Sequence, residues 1–411
     1  MRAGSGGAAA DRDFSEAEHR AMDAALSAAW RGPRGSNPLV GAALLDQDGR
    51  VLHRGFHRGA GTEHAEVDVL SQARKSRADL SRTTLLVTLE PCNHQGRTGP
   101  CSHAVLESGI PRLIYATADT TPAASGGAAY LRSHGVEVRS GLRAEPALEL
   151  NHRWTAAQRA GRPFVTVKTA QSLDGRIAAV DGTSQWITGA EARAHAHGVR
   201  GRVDAIVAGT GTILTDDPRL TVRGASAPAP ATLTGERGAP AGNAPAGDTH
   251  ATAGTVAPAP LRVAMGLREV PAAARVRGED GRFRQVRSRD PHEVLRALTA
   301  EGVRHVLIEG GSEIVGAFLA ADLTDELIVY QAPVLLGAGQ PAYPDLGVTT
   351  LAQARRFLPD PSDGGAVQRL GSDLLWHLQP APNAPTAPPG NDGPPGPAGH
   401  RIAHHDRASE S

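Results

Sequence analysis

Aromatic side chains are scarce in this chain, at 3% of 411 residues. Proteins that hold single-stranded nucleic acid stack its bases on exposed rings, so that class is disfavoured from the start. Net charge is missing too. The 43 Lys and Arg balance the 43 Asp and Glu, which leaves no global attraction to a polyanion or an anionic membrane. No apolar run approaches the ~20 residues of a membrane span, and the opening MRAGSGGAAA has no secretory apolar core. The expectation is a cytoplasmic protein acting on a small molecule, with no nucleic-acid and no membrane partner. Its length suits two or three domains.

Cysteine is the scarcity that says most. The chain has 2, and both lie in the stretch Thr88 to Cys101, reading TLEPCNHQGRTGPC. Upstream stands His64-Ala65-Glu66. One imidazole and two thiolates form a soft donor set that selects zinc over magnesium or calcium. Three protein ligands also leave the open fourth position that a catalytic zinc requires. His64, Cys92 and Cys101 are therefore the candidate ligands of Zn2+. Glu66, next but one to a ligand, is the candidate catalytic acid/base. His-x-Glu followed by Pro-Cys and a second Cys is the signature of zinc-dependent deaminases, although here 8 residues separate the cysteines. Two other readings stay open on these residues alone: a disulfide, and a structural zinc site closed by His94 or His103.

Ser15 followed by Glu18 is a capping-box pattern, and Met22, Leu26, Ala29 and Trp30 recur at helical spacing, which predicts a helix over 15–30. Strands are expected at 40–45 and 50–56 around an Asp48-Gly49 turn. Residues 64–73 read as a helix whose first turn carries both the zinc ligand and the acid/base. A strand over 84–88 delivers Pro91-Cys92, and Cys101 sits where a helix over 102–108 begins and free amides favour thiolate. Strands over 113–117 and 136–138, with a helix over 128–133 between them, complete an α/β/α module spanning 12–155.

A second module, 160–380, opens with a strand at 164–168 and a polar turn at 171–176. The strand 204–209 leads into Gly209-Thr210-Gly211, which fails as a Rossmann fingerprint for want of a third glycine. The strand 306–308, the turn Glu309-Gly310-Gly311-Ser312 and the helical pattern through Ile314, Val315 and Phe318 offer backbone amides to a phosphate instead. A further strand is expected at 325–330. Residues 224–260 and 381–411, rich in Ala, Pro and Gly, are expected to be a low-complexity insertion and a disordered tail.

With these motifs in place, the chain from about Ser15 to Leu378 resembles the bifunctional riboflavin-biosynthesis family, a diaminohydroxyphosphoribosylaminopyrimidine deaminase fused to a 5-amino-6-(5-phosphoribosylamino)uracil reductase. In the first half the resemblance rests on Asn37-Pro38 with Val40-Gly41, on His64-Ala65-Glu66-Val67, and on the cysteine stretch, whose long spacing sets the family apart from other zinc deaminases. In the second half it rests on Ser172-Leu173-Asp174-Gly175-Arg176, Ser184-Gln185-Trp186-Ile187-Thr188, Asp216-Asp217-Pro218 with Leu220 to Arg223, and Glu309-Gly310-Gly311.

The resemblance implies an α/β protein with a cytidine-deaminase-like zinc domain followed by a dihydrofolate-reductase-like domain. The implied activity is hydrolytic deamination of a phosphorylated diaminopyrimidine, then NADPH-dependent reduction of its ribosyl to a ribityl chain. A homo-oligomer is expected. By matching motif, Ser184, Arg200, Leu220, Arg223 and Glu309 would contact the substrate. Ala170, Trp186, Thr212 and Asp216, with Gly311, Ser312, Glu313, Ile314, Val315, Gly316 and Ala317, would line the NADPH site. Arg200 and Arg223 are also side chains suited to a phosphate. Departures gather in the second half. Gly266 stands where the family usually has Asp, Leu267 where a small polar residue is common, and Val334 in place of a frequent Lys; in the first half, Asp119-Thr120-Thr121-Pro122 replaces Asp-Pro-Asn-Pro. They keep a second expectation alive, a deaminase carrying a degenerate reductase-like domain.

Overall fold

A computed structural model describes residues 13–33, 35–59, 61–95, 99–119, 125–222, 259–360 and 365–382. Helix α1 (Glu16–Ala29) starts where the capping box places it: Ser15 Oγ accepts from the Glu18 amide, and the Glu18 carboxylate accepts from the Ser15 amide at 2.7 Å. Its stripe of Ala21, Met22, Ala25, Leu26 and Ala29 is buried. Strands β1 (Gly41–Leu45) and β2 (Val51–Phe56) form a hairpin, followed by α2 (Ala65–Ser76), β3 (Thr84–Leu89), α3 (Cys101–Glu107), β4 (Arg112–Thr117), α4 (Gly127–Ser133), β5 (Glu137–Ser140) and α5 (Ala144–Ala160).

The five strands make one sheet in the order β2-β1-β3-β4-β5, antiparallel at β1 and parallel from β3 to β5. Alternation decides its two faces. Ala42, Leu44, Leu85 and Val87 pack with α2, α3 and α4, whereas Ala43, Leu45, Leu86 and Ile114 pack with α1 and α5. The expected α/β/α layering is present, and its last helix runs on to Ala160.

The second half holds β6 (Phe164–Ser172), β7 (Arg176–Ala178), α6 (Ala190–Arg200), β8 (Ala205–Gly209), α7 (Thr210–Asp216), β9 (Leu261–Met265), β10 (Phe283–Val286), α8 (Pro291–Ala300), β11 (His305–Ile308), α9 (Ser312–Ala320), β12 (Glu326–Ala332), β13 (Gln340–Pro341), β14 (Phe357–Pro359), β15 (Val367–Leu370) and β16 (Asp373–Pro380). Nine of these strands share a sheet whose path is β10-β9-β8-β11-β6-β12-β16-β14, with β15 on β16. Pairing is parallel from β10 to β12 and antiparallel beyond. β7 and β13 pair separately.

The polar turn expected at 171–176 begins later than the sequence suggests. Gln171 and Ser172 stay in register with Gln331 and Ala332 of β12, so the strand absorbs them. The turn proper is held by Asp174, whose carboxylate accepts from Ser172 Oγ and from the amides of Leu336 and Gly337. Both halves lie within one compact unit ending at Pro380. Among the described residues no helix is long and apolar enough to cross a membrane. The expected insertion and tail, apart from 259–260 and 381–382, lie outside the described residues, as does Arg223.

Candidate functional site

His64 is the N-cap of α2, in extended backbone (φ −72°, ψ 164°), and its side chain makes no capping bond. The imidazole is thereby free to turn to the cysteines, with Nδ1 3.7 Å from Cys92 Sγ and 3.1 Å from Cys101 Sγ. Cys92 arrives on the exit of β3, and Cys101 is the first residue of α3. The Cys101 amide donates to Cys92 Sγ at 3.4 Å, and the Ser102 amide to the Cys92 carbonyl at 3.2 Å. The three ligand atoms lie within 4.8 Å of one another.

Both cysteines are free thiols, which removes the disulfide reading. His103 is stacked on Tyr130, with centroids 4.6 Å apart and planes 11° apart, and among the described residues neither it nor His94 joins the ligand group. The closed four-ligand site is therefore not formed. The neighbouring Cys101 side chain, the imidazole and the Cys101 amide bring the Cys92 thiol down to about 4 against its burial, while Cys92, burial and the charge of Glu66 push Cys101 up. One imidazole and two thiols within reach of one another are a donor set that a soft cation such as zinc would fit.

Glu66, in the first turn of α2, is 3% exposed, and its Oε2 is buried without a hydrogen-bond partner. Burial, followed by the negative charge on Cys92, pushes it up to about 7. A carboxyl group at that value beside an open metal position can both take and return a proton near neutral pH.

Sequence reasoning missed the wall of this site. His57 packs edge-on to His64, ring centroids 4.9 Å apart. Its Nδ1 lies 3.2 Å from the Glu63 carbonyl and its Nε2 2.8 Å from Asn37 Nδ2. The carbonyl can only accept, so Nδ1 carries the proton and Nε2 accepts from the amide. Burial, which pushes the His57 pKa down, agrees with a neutral ring. The Asn37 carboxamide is thus fixed with its oxygen turned away from His57. The local hint was Asn37-Pro38, which the sequence offered as one of the runs shared with the family.

The second site lies along the carboxyl ends of the parallel strands, the edge where open α/β sheets bind ligands. Glu309, just past β11, is 5% exposed. It receives both arms of Arg200, at 2.7 and 2.8 Å, and has Lys168 Nζ at 3.6 Å. Burial pushes Glu309 up, but the Lys168 ammonium and the Arg200 guanidinium outweigh it and bring it down to about 2. Arg200 was expected to suit a phosphate. In the structure its fork is taken up by Glu309, and its remaining arm donates to the Thr221 carbonyl. Lys168, midway along β6, was not singled out in the sequence.

Two glycine turns stand side by side on this edge. The Gly311 amide donates to Thr212 Oγ1 at 3.0 Å, joining the start of α9 to the start of α7. Gly310 has φ 146°, and a Cβ there would come 3.2 Å from that hydroxyl. The turn is thus a backbone-lined cradle that a side chain would fill, as a bound dinucleotide needs. The amides of Ser312, Glu313 and Ile314 are the unsatisfied ones of the first helical turn. Val315 lies in the core and Gly316 packs on Pro344, so those two and Ala317 form the body of the helix rather than its phosphate-facing end.

Ala170 is half-buried on β6, and Asp216 closes α7, where burial raises its pKa. Trp186 is 68% exposed, with the Arg193 guanidinium 4.5 Å from its ring centre. Ser184 is exposed in the same loop, and no hydrogen bond among the described residues ties either to the Arg200 and Glu309 pair. Leu220 is 5% exposed at φ 48°, so its side chain belongs to the core.

Comparison with known proteins matches each half. The cytidine and deoxycytidylate deaminase zinc-binding region covers residues 15–117, and the RibD C-terminal domain covers residues 163–360. The riboflavin biosynthesis protein RibD of Mycobacterium tuberculosis is 40% identical over 350 residues, 85% of this chain and 92% of that protein. RibD of Escherichia coli is 32% identical over 386 residues, covering 87% and 98%. Among solved structures, a diaminohydroxyphosphoribosylaminopyrimidine deaminase/5-amino-6-(5-phosphoribosylamino)uracil reductase from Thermotoga maritima superposes with a TM-score of 0.73 at 29% identity, over 89% of this chain and 99% of its own. Acinetobacter baumannii RibD gives the same TM-score of 0.73, also at 29% identity and over 89% and 99%.

Proposed function

The chain belongs to the RibD family of bifunctional riboflavin-biosynthesis enzymes, and on that premise we propose how its own residues divide the two reactions. The first substrate is the phosphorylated, ribosyl-bearing diaminopyrimidinone named in the relatives' activity. His64, Cys92 and Cys101 would hold zinc, which when bound would supply a Lewis acid that acidifies a water. Glu66 takes that water's proton as oxygen adds to the ring carbon bearing the amine. It then returns the proton to nitrogen as the C–N bond breaks and ammonia leaves. Asn37, fixed by His57, holds the ring edge.

In the second reaction the sugar is reduced, and NADPH supplies the hydride equivalent. Glu309 stays ionised and accepts from sugar hydroxyls. Lys168, beside it, is the proton source within reach. Thr212 and the amides of Ser312 to Ile314 would hold the dinucleotide phosphates, while Ser184 and Arg200, with Arg223 by matching motif, are assigned to the substrate side and Leu220 supports it from the core. The reading of a retired reductase is not favoured: Gly266, the most conspicuous departure, is matched by Thr210, whose hydroxyl fills the space where a side chain would go.

A cytoplasmic location suits a phosphorylated substrate and NADPH. A homo-oligomer is part of the reading, with Leu374, Trp376 and Val367 left exposed on the outer strands for a second copy to cover.

The observation that carries the proposal is the buried, unpartnered Glu66 oxygen beside the His64, Cys92 and Cys101 cluster. Its test is ammonia release followed by NADPH oxidation, in wild type and Glu66→Gln. The variant is expected to keep zinc and lose ammonia release by about 10²- to 10⁴-fold. Wild type without ammonia release would refute the first step, and ammonia without NADPH oxidation would refute the second.

A further inference from the structure

Arg268, on the cofactor edge, has no carboxylate counter-charge among the described residues. Strand β9 ends at Met265, and Gly266 turns the chain at φ 138°. The turn carries Arg268 across the mouth of α7, where its guanidinium nitrogen lies 3.0 Å from the position of a Cβ on Gly211. Gly211 belongs to the turn whose Thr212 hydroxyl holds the Gly311 amide. The backbone of Arg268 is pinned as well, its carbonyl accepting from Gln285 Nε2 at 2.7 Å. Neighbouring arginines are neutralised, Arg262 by Asp280 and Arg287 by Glu269. Among the described residues no carboxylate pairs with Arg268.

An exposed arginine is ordinarily just solvated. Two features argue for more here. The guanidinium lies over a glycine turn of the cofactor edge, and that turn adjoins the start of α9. Strand β9 is two places from β11 in the sheet order β9-β8-β11. At about 4.8 Å per strand, that puts the backbone of Arg268 roughly 10 Å along the edge from the phosphate-facing start of α9, and the guanidinium, reaching back over Gly211 beyond the end of β8, lies between the two, within the reach of one ribose and its substituent from a pyrophosphate. NADPH differs from NADH by a single phosphate on the adenosine ribose, and a guanidinium fork matches a phosphate in both shape and charge. In dinucleotide-binding sheets an arginine near the strand ends takes this role.

We propose that Arg268 reads the 2′-phosphate of the dinucleotide and so sets the preference of this chain for NADPH over NADH. The inference rests on the reductase reading above and adds to it the residue that discriminates the cofactor. Leu267, apolar and 57% exposed, cannot supply that contact, which leaves the task to its neighbour.

The test uses the full chain. Dissociation constants for NADPH and NADH are measured by calorimetry in wild type, Arg268→Gln and Arg268→Lys, with ammonia release as the check that the chain is folded. Arg268→Gln is expected to weaken NADPH by at least about tenfold, with NADH unchanged within about twofold. The lysine variant should recover part of the loss, because it keeps the charge without the fork. Parallel weakening of both dinucleotides, or of neither, would overturn the inference alone. Wild type that binds neither would overturn the reductase reading and this inference with it.

Discussion

Arg153 reaches from α5 to Glu326 of β12 at 2.5 Å, tying the helix that closes the first half to the sheet of the second. Glu326 is 1% exposed, and it also accepts from Thr166 Oγ1 and from His377 Nε2. Removing one partner of a buried pair strands the other charge, at a cost of about 3–5 kcal/mol. Arg153→Ala is expected to lose that much stability in chemical denaturation. A loss below about 1 kcal/mol would put the pair in the class of exposed ion pairs and remove its role as the tie between halves.

The same cluster makes stability depend on pH with two signs. Burial alone would lower the His377 pKa, but its bond to Glu326 and the charges of Glu326 and Asp360 raise it despite Arg153. Its contribution is therefore complete below the ordinary histidine value of about 6.5 and fades as pH rises through the higher folded value. Glu326 goes the other way. Burial raises it, but Arg153 and His377 hold it well below the ordinary range, so its contribution is present above about pH 4.5 and is lost as pH falls through the depressed value. Denaturation midpoints should peak between these limits. The gap between wild type and His377→Gln should shrink as pH is raised above about 6.5; a gap that stays constant there would show that His377 does not titrate in the folded chain.

The cluster of His64, Cys92 and Cys101 was legible because the pattern is local. His64 and Glu66 are two residues apart, the cysteines share one loop, and rare residue types in a fixed pattern need no knowledge of the fold. The layers of the first half were readable for a similar reason, since alternation in β1 and β3 and the α1 stripe are periodic. What stayed hidden depends on distant polar partners. Arg200 meets Glu309 across 109 positions, Arg153 meets Glu326 across 173, and His57 meets Asn37 across 20. No period links such pairs, so Arg200 read as a free phosphate ligand. Helix α5 escaped because its stripe of Ala147, Leu150 and Ala157 is interrupted by Asn151, which is buried to pair with the Leu39 backbone.

Glu90 should control zinc without touching it. Its carboxylate accepts from the amides of Gly126 and Ala128 at 3.2 and 3.1 Å. Gly127 meanwhile lies so close to the Pro91 carbonyl that a Cβ would sit 1.9 Å from it. The loop presenting Cys92 is therefore clamped to the start of α4. Partners that orient a ligand typically change metal affinity by about 10- to 100-fold when removed. Glu90→Ala is expected to weaken zinc by that factor in chelator competition, with NADPH affinity unaffected. Glu90→Gln keeps an acceptor oxygen and should recover most of the affinity. Equal weakening in both variants would mean that charge, rather than the clamp, matters.

Restoring the family's usual residue at Gly266 should harm the protein. The backbone there has φ 138°, and a Cβ would come 2.3 Å from Thr210 Oγ1, which is itself 5% exposed. A side chain in such backbone costs about 1–3 kcal/mol before the collision is counted. Gly266→Asp is therefore expected to lower the melting temperature without tightening NADPH, and Thr210→Ala should relieve part of that loss by removing the hydroxyl. Leu267→Ser, at an exposed position, should leave stability unchanged within about 0.5 kcal/mol. If Gly266→Asp proved as stable as wild type and bound NADPH more tightly, the glycine would be a lost cofactor contact, and the close packing against Thr210 would not be what holds this turn.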